Sequence, residues 1–289
     1  MRINDQCLPC LVNQAIKTAK LCGLKERNEL YKEVFLNLSA IDFSKTNPEI
    51  IGQNYQVIKR YVGLEDPYKE LKAQYNQMFL EKLSEYDRKI TSLKDAVKYA
   101  ILANIIDFNP IHEDVERQIQ HYFSNADQLE LVINHVESLT SDILNSKCIL
   151  YLGDNCGEIC FDKLLIQRIR QLNPEYKVYF GVRGEAVVND NTLEDAYQVG
   201  MQEVADVISN GDYSLGTVLE RTSKEFQKVY DASDFVIAKG QANYESLNEQ
   251  NKKIYFLLMT KCKVIADDIG VPAHSLICMC RHQFTEDNQ

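Results

Sequence analysis

The chain has 289 residues, 45% hydrophobic and 26% charged, the make-up of a globular protein with room for a sizeable core in one large domain or two ordinary ones. Its 42 acidic residues against 32 basic ones give a net charge of −10. That excludes nonspecific nucleic-acid binding by charge neutralisation, but not an anionic substrate, because a bound metal reverses the local field. No apolar run approaches the roughly 18 residues of a membrane span. The opening Met1-Arg2-Ile3-Asn4-Asp5-Gln6-Cys7 lacks the apolar core of an export signal. The expectation is a cytoplasmic protein with no membrane or nucleic-acid partner; the chain is silent on oligomeric state. Nine cysteines, spread from Cys7 to Cys280, are expected as reduced thiols.

Up to about residue 145 the pattern is helical. Pro9 opens a first helix running towards Cys22. Asn47 is a candidate cap for another, with Pro48 at its first position, where the missing N–H is harmless. Ile51, Tyr55, Ile58 and Val62 then follow at helical spacing. Asp66-Pro67 opens a third, with Leu71, Tyr75 and Met78 on one face. Ser92-x-x-Asp95 reads as a capping box for a fourth ending near Asn104, and 127–139 as a fifth.

Beyond about residue 145, short β-rich runs alternate with helices. Strands are expected at 148–152, 177–182, 204–209, 235–238, 254–258, 264–266 and 276–279, and helices at 158–171, 193–199, 215–230 and 244–249. Such alternation implies parallel pairing through crossovers. The fold class expected is α/β: a Rossmann-like, mostly parallel sheet at 146–289 with an N-terminal all-helical cap at 1–145.

Three segments follow strands with chemistry-bearing residues. The apolar run 148–152 breaks into Gly153-Asp154-Asn155-Cys156-Gly157-Glu158. A carboxylate and an amide at a strand end suit a hard cation, Gly157 permits close backbone approach, and the next helix start offers N–H groups to an anion. A capped strand-to-helix turn has the same look. Val182-Arg183-Gly184 leads to Asn189-Asp190-Asn191-Thr192, where Asp190 offers a second carboxylate and Arg183 a phosphate or acid partner. Here Thr192-x-x-Asp195 alone accounts for a capping box. The third segment, 235–241, ends in Lys239-Gly240-Gln241, placing one cation at the same edge.

Together these segments resemble the DUF89 family of metal-dependent damage-control phosphatases, from Cys7 to about Val271. Cys7-x-x-Cys10, Asp66-Pro67-Tyr68 with Lys72, and Asn104-Ile105-Ile106-Asp107-Phe108 are similar to its helical-domain motifs, and the cysteine pair to its small prokaryotic branch. Tyr244 and Glu245 also agree, whereas Cys156 and Glu185-Ala186 depart from the pattern. The resemblance implies that Asp154, Asn155 and Asp190 hold a divalent metal (Mn, Ni, Co or Mg) and that Lys239 grips the phosphate. Arg183, Glu158 and Asn104 follow as pocket residues, with backbone N–H groups near Gly157 and Gly240 neutralising phosphoryl oxygens. It implies hydrolysis of small phosphomonoesters, such as sugar phosphates or damaged phosphometabolites, by water or by the Asp154 carboxylate.

Other readings stand beside it. Gly-Asp-Asn-x-Gly-Glu after a strand loosely matches an adenosylmethionine loop, but methyltransferases place a ribose-binding acid where Arg183-Gly184 stands. A non-catalytic metal- or nucleotide-binding regulator would bind without turnover. Cys7-x-x-Cys10 has zinc or redox spacing and would need a partner pair such as Cys278-x-Cys280; two buried thiols in a helix start is the simpler account. His112, His121, His135, His274 and His282 match no ligand spacing.

Overall fold

The computed structural model describes residues 1–104 and 122–281; residues 105–108 of the Asn104 motif, His112, His121 and His282 lie outside them. Five helices come first. They are α1 (Leu8–Leu21), α2 (Asn28–Leu38), α3 (Asn47–Val62), α4 (Lys69–Lys89) and α5 (Leu93–Ala103). Pro9 stands in the first turn of α1, as its sequence predicts, whereas α2 was not expected. The cap of α3 is Thr46, whose hydroxyl accepts from the Glu49 N–H; Asn47 lies in the first turn and donates its amide to Glu245 at 3.1 Å. The capping box of Ser92 and Asp95 is present at α5.

From residue 131 the strands and α-helices follow in chain order as β1 (Leu131–Asn134), α6 (Val136–Asn145), β2 (Cys148–Leu152), α7 (Ile159–Leu172), β3 (Lys177–Val182) and α8 (Leu193–Gln198). Then follow β4 (Asp206–Ser209), α9 (Lys224–Ala232), β5 (Phe235–Lys239), α10 (Gly240–Leu247), β6 (Ile254–Met259), α11 (Lys263–Ile269) and β7 (Leu276–Arg281).

Three expected elements differ. The helix expected at 127–139 is a strand followed by a later helix, because Leu131-Val132-Ile133 finds a partner in β7 and β-branched side chains favour the extended backbone. The strand expected at 264–266 is the centre of α11: a short apolar run does not declare its period, and Gly270, with φ 82°, ends a helix there. Residues 215–230 are not one helix, since Ser223 caps a new one by accepting from the Phe226 N–H.

The seven strands lie in the order β1-β7-β6-β5-β2-β3-β4. Strands β2 to β6 are parallel, β7 runs antiparallel to β6, and β1 is parallel to β7. The sheet thus takes in β1, which precedes residue 146. From β2 the chain moves outward through β3 and β4, then returns to β2's other side for β5 and β6. Such a reversal leaves a crevice beyond the carboxyl ends of β2 and its neighbours, the usual ligand position in open α/β sheets.

Alternation along the strands builds a core on each face. Ile149, Tyr151, Val178 and Phe180 face one side and pack with α5, α7 and the aromatic cluster of Phe79, Tyr86, Tyr99, Phe123 and Phe161. Leu150, Leu152, Val236, Ala238, Phe256 and Leu258 face the other, against Phe226 of α9, Tyr244 of α10 and Ile265 of α11. Helices α1 to α3 form a third cluster around Tyr55 and Ile58 that includes Val187 from the segment after β3. Among the described residues, no helix is long and apolar enough to cross a membrane.

Candidate active site

The segments after β2 and β3 are joined by backbone hydrogen bonds. Cys156 N–H donates to Asn189 O at 2.9 Å and Asn191 N–H to Asp154 O at 2.9 Å, forming a bridge between Asn155 and Asp190. Arg183 N–H donates to Asn191 O at 3.0 Å, closing the base of the second segment. Asp154, Asn155 and Asp190 are thereby brought together, and all three are buried.

Side chains from four elements complete the cluster. Arg183, only 2% exposed, donates from Nε to Asp190 Oδ2 at 2.6 Å and has Nη2 3.8 Å from Asp154 Oδ1. Asn104, at the end of α5, donates from Nδ2 to Asp154 Oδ2 (2.7 Å) and to Glu158 Oε2 (2.8 Å). Asn155 Nδ2 donates to the same two oxygens, at 2.8 and 3.1 Å. Lys239, fully buried, donates to Ala100 O at 2.9 Å, Asp162 Oδ1 at 2.7 Å and Glu158 Oε1.

Glycine decides one contact here. Gly240 has φ 77°, and a Cβ built on it would lie 1.8 Å from Asp154 Oδ2, so only glycine lets that carboxylate sit against the start of α10. Gly157 also has a positive φ, of 77°, but its N–H, expected to face an anion, is taken by Asn76 Oδ1 at 2.6 Å. The phosphate-gripping role expected of Lys239 meets a similar constraint: its ammonium already has three acceptors, so a phosphoryl oxygen must displace one.

Electrostatically the cluster is over-supplied with acid. Asp154, Glu158, Asp162 and Asp190 are buried around Arg183 and Lys239; a third buried cation, Lys72, donates to the Asp190 carbonyl at 3.4 Å but is paired with Asp66 and Asp195. Burial, then the charges of Asp190 and Glu158, lift the Asp154 carboxyl to about 8, against the pull of Arg183. Burial also raises Asp190 against the pull of the same guanidinium. For Lys239 burial works against the charge, but Asp162 and Glu158 more than offset it and the ammonium is held. Two surplus carboxylates and a fully buried Asn104 Oδ1 with no hydrogen-bond partner among the described residues fit a divalent, oxygen-preferring cation. Among the described residues, no three His, Cys, Asp or Glu side chains form a metal cage by themselves; the donor set here includes amides.

The sequence did not single out Asp162, Tyr151, Asn76, Thr217 or Asn243. Tyr151 OH donates to Asp162 Oδ1 at 2.7 Å, and Thr217 accepts from Arg183 (3.4 Å) while donating to Asn243 (2.9 Å). One signal was present: Glu158 and Asp162 stand four residues apart at the start of α7, a like-charge pair that is unfavourable on a helix unless a cation sits between them. The cysteine motif assembles differently. Cys7 is buried and Cys10 exposed, and both lie near Cys262; Cys280, on β7, lies near His135 and Tyr255.

Residues 3–277 match the damage-control phosphatase ARMT1-like domain. The chain belongs to that family. This ARMT1-like chain is 31% identical over 292 residues to the damage-control phosphatase PH1575 of Pyrococcus horikoshii, covering 98% of this chain and 99% of that one. It is 30% identical over 289 residues to a damage-control phosphatase of Archaeoglobus fulgidus, covering 96% and 98%. The crystal structure of a DUF89 family protein from P. horikoshii is similar with a TM-score of 0.89 at 29% identity, over 96% of this chain and 99% of that one. The family supports a phosphatase-type function for the ARMT1-like chain.

Proposed function

We propose that this chain is a metal-dependent phosphatase of small phosphomonoesters, sugar phosphates or damaged phosphometabolites, with Mn, Ni, Co or Mg held by Asp154, Asn155 and Asp190. The observation that carries this is the convergence of two carboxylates and an amide, in a cluster with more buried acids than cations, at the crevice where the sheet order reverses. The names of the relatives supply the reaction class.

A bound divalent cation supplies Lewis acidity there, polarising a phosphoryl oxygen and balancing the buried carboxylates. The protein's own groups do the rest. Arg183 holds Asp190 in place by a charge-assisted bond and keeps its guanidinium close to Asp154. Asn104 Oδ1, without a hydrogen-bond partner among the described residues, is an acceptor for a substrate hydroxyl or a water. Of the three acceptors of Lys239, the Ala100 carbonyl is the uncharged one, and so the one a phosphoryl oxygen most readily replaces.

The test is phosphate release from p-nitrophenyl phosphate and a sugar-phosphate panel, with chelated protein and protein loaded with each metal. Turnover should require the metal and fall by about 100-fold or more in Asp154→Ala, the scale of losing one group that stabilises developing charge. Metal binding without turnover on any substrate would leave a non-catalytic binding protein.

A further inference from the structure

The proposed reaction gives no part to Asp162, a buried carboxylate of the cluster. Asp162 lies in the first turn of α7, fully buried, and its Oδ1 accepts from both Tyr151 OH and Lys239 Nζ, each at 2.7 Å. A structural partner for Lys239 was already available in Glu158. Burying a second acid against the same lysine adds a desolvation penalty that a single pair avoids, so the arrangement does not follow from stability alone.

What it does is geometric. Lys239 is fixed at three points, by Asp162, by Glu158 and by the Ala100 carbonyl of α5. Glu158 spends one oxygen on Lys239 and presents the other, Oε2, to the Nδ2 groups of Asn104 and Asn155. Asp154 Oδ2 receives the same two amides. With both Nδ2 groups committed to carboxylates, the carbonyl oxygens of the two amides point elsewhere; that of Asn104 is buried and has no partner among the described residues.

We propose that Asp162, braced by Tyr151, is a positioning residue: it sets Lys239, Lys239 sets Glu158, and Glu158 fixes the amides of Asn155 and Asn104 with their oxygens towards the cation and substrate. This rests on the phosphatase reading above. It assigns the five-member chain Tyr151–Asp162–Lys239–Glu158–Asn155 a single task, the orientation of a ligand that an amide could otherwise present by either end.

The test is calorimetric Mn²⁺ titration of metal-free protein, beside kcat and KM, for the wild type, Asp162→Asn, Glu158→Gln and the double variant. Asp162→Asn should weaken Mn²⁺ binding by about 10- to 100-fold, the scale of losing a group that orients a ligand. If Asp162 acts through Glu158, the double variant should bind no worse than Glu158→Gln alone, a coupling that a merely structural role would not produce. Wild-type Mn²⁺ affinity in Asp162→Asn, or fully additive losses, would overturn the proposal. Tyr151→Phe keeps the ring stacked on Phe180 and removes only the hydroxyl, so it reads the same chain should Asp162→Asn fail to fold. A loss of at least about 2-fold in Mn²⁺ affinity, the scale of one hydrogen bond, is expected there, and none would count against the proposal. If the wild type neither binds Mn²⁺ nor releases phosphate, the phosphatase reading fails and the positioning role with it; turnover in the wild type with an unaffected Asp162→Asn sinks the positioning role alone.

Discussion

At the sheet edge four buried carboxylates are each held by a cation or an amide, Arg183 and Lys239 supplying the charge and Asn104 and Asn155 the amides. At the foot of α1 the picture is different. Glu245, 5% exposed, has Asn47 Nδ2 at 3.1 Å and the nearby chain amino group, and it stands among the thiols of Cys7, Cys10 and Cys262. Burial first, with Glu245 and the other thiols adding to it, pushes Cys7 and Cys10 up. A thiolate is the form that binds metal or attacks, and these thiols are held protonated. Burial lifts the acids of both regions; the sheet edge surrounds them with two cations and two amides, whereas the foot of α1 gives Glu245 one amide and the chain amino group. The donors differ too: carboxylates and amides gather at the sheet edge, thiols at the foot of α1.

The sheet edge is most sensitive at Gly240. Gly240→Ala sets a methyl 1.8 Å from Asp154 Oδ2 on a backbone with φ 77°, so the carboxylate must move or α10 must shift. Displacing a reacting group by about 1 Å can lower a rate by about 100-fold, and that is the loss expected in kcat/KM on the best substrate. An unchanged kcat/KM in folded Gly240→Ala would mean that Asp154 does not work from this position. Arg183→Met comes next. It removes the guanidinium 2.6 Å from Asp190 and leaves a buried carboxylate without its cation, which should destabilise the metal-free chain by about 3 to 5 kcal/mol in urea unfolding. Saturating Mn²⁺ should recover part of that loss if Asp190 is a ligand, and none if it is not.

Much of this frame was legible in the residues because it rests on local signals. An apolar strand ending in Gly-Asp-Asn and a second strand followed by Asn-Asp mark the edge, and parallel crossovers bring successive strand ends to one side. What was not legible depends on partners distant in sequence. Leu131-Val132-Ile133 reads as part of a helix until β7, some 145 residues later, offers it an edge. Asp162 stands next to Lys163 on its helix, so its pairing is not readable locally, and its partner Lys239 arrives from β5. Asn47, expected to cap α3, is turned instead towards Glu245 of α10. The cysteine spacing reports the thiols' separation and not the burial that pushes Cys7 and Cys10 up.

The smallest effect concerns that second region and turns on pH. Glu245 is lifted to about 7 from the ordinary 4.5, by burial first, against the pull of its bond from Asn47 and of the chain amino group. Because the folded value lies above the unfolded one, the fold favours the protonated form. The contribution of Glu245 to stability is therefore fully present below about pH 4.5, declines as pH rises, and is lost above about pH 7. Glutamine keeps the carbonyl that accepts from Asn47 and cannot ionise. Glu245→Gln should match the wild type in urea unfolding at pH 4.5 and exceed it by up to about 3 kcal/mol at pH 8.5, the difference between the two carboxyl values expressed as free energy. A gap between the two proteins that does not change with pH would show that Glu245 is not the suppressed charge. A variant less stable than the wild type at pH 8.5 would show that the chain amino group holds the ionised carboxylate as Arg183 and Lys239 hold theirs, and the two regions would then follow one plan.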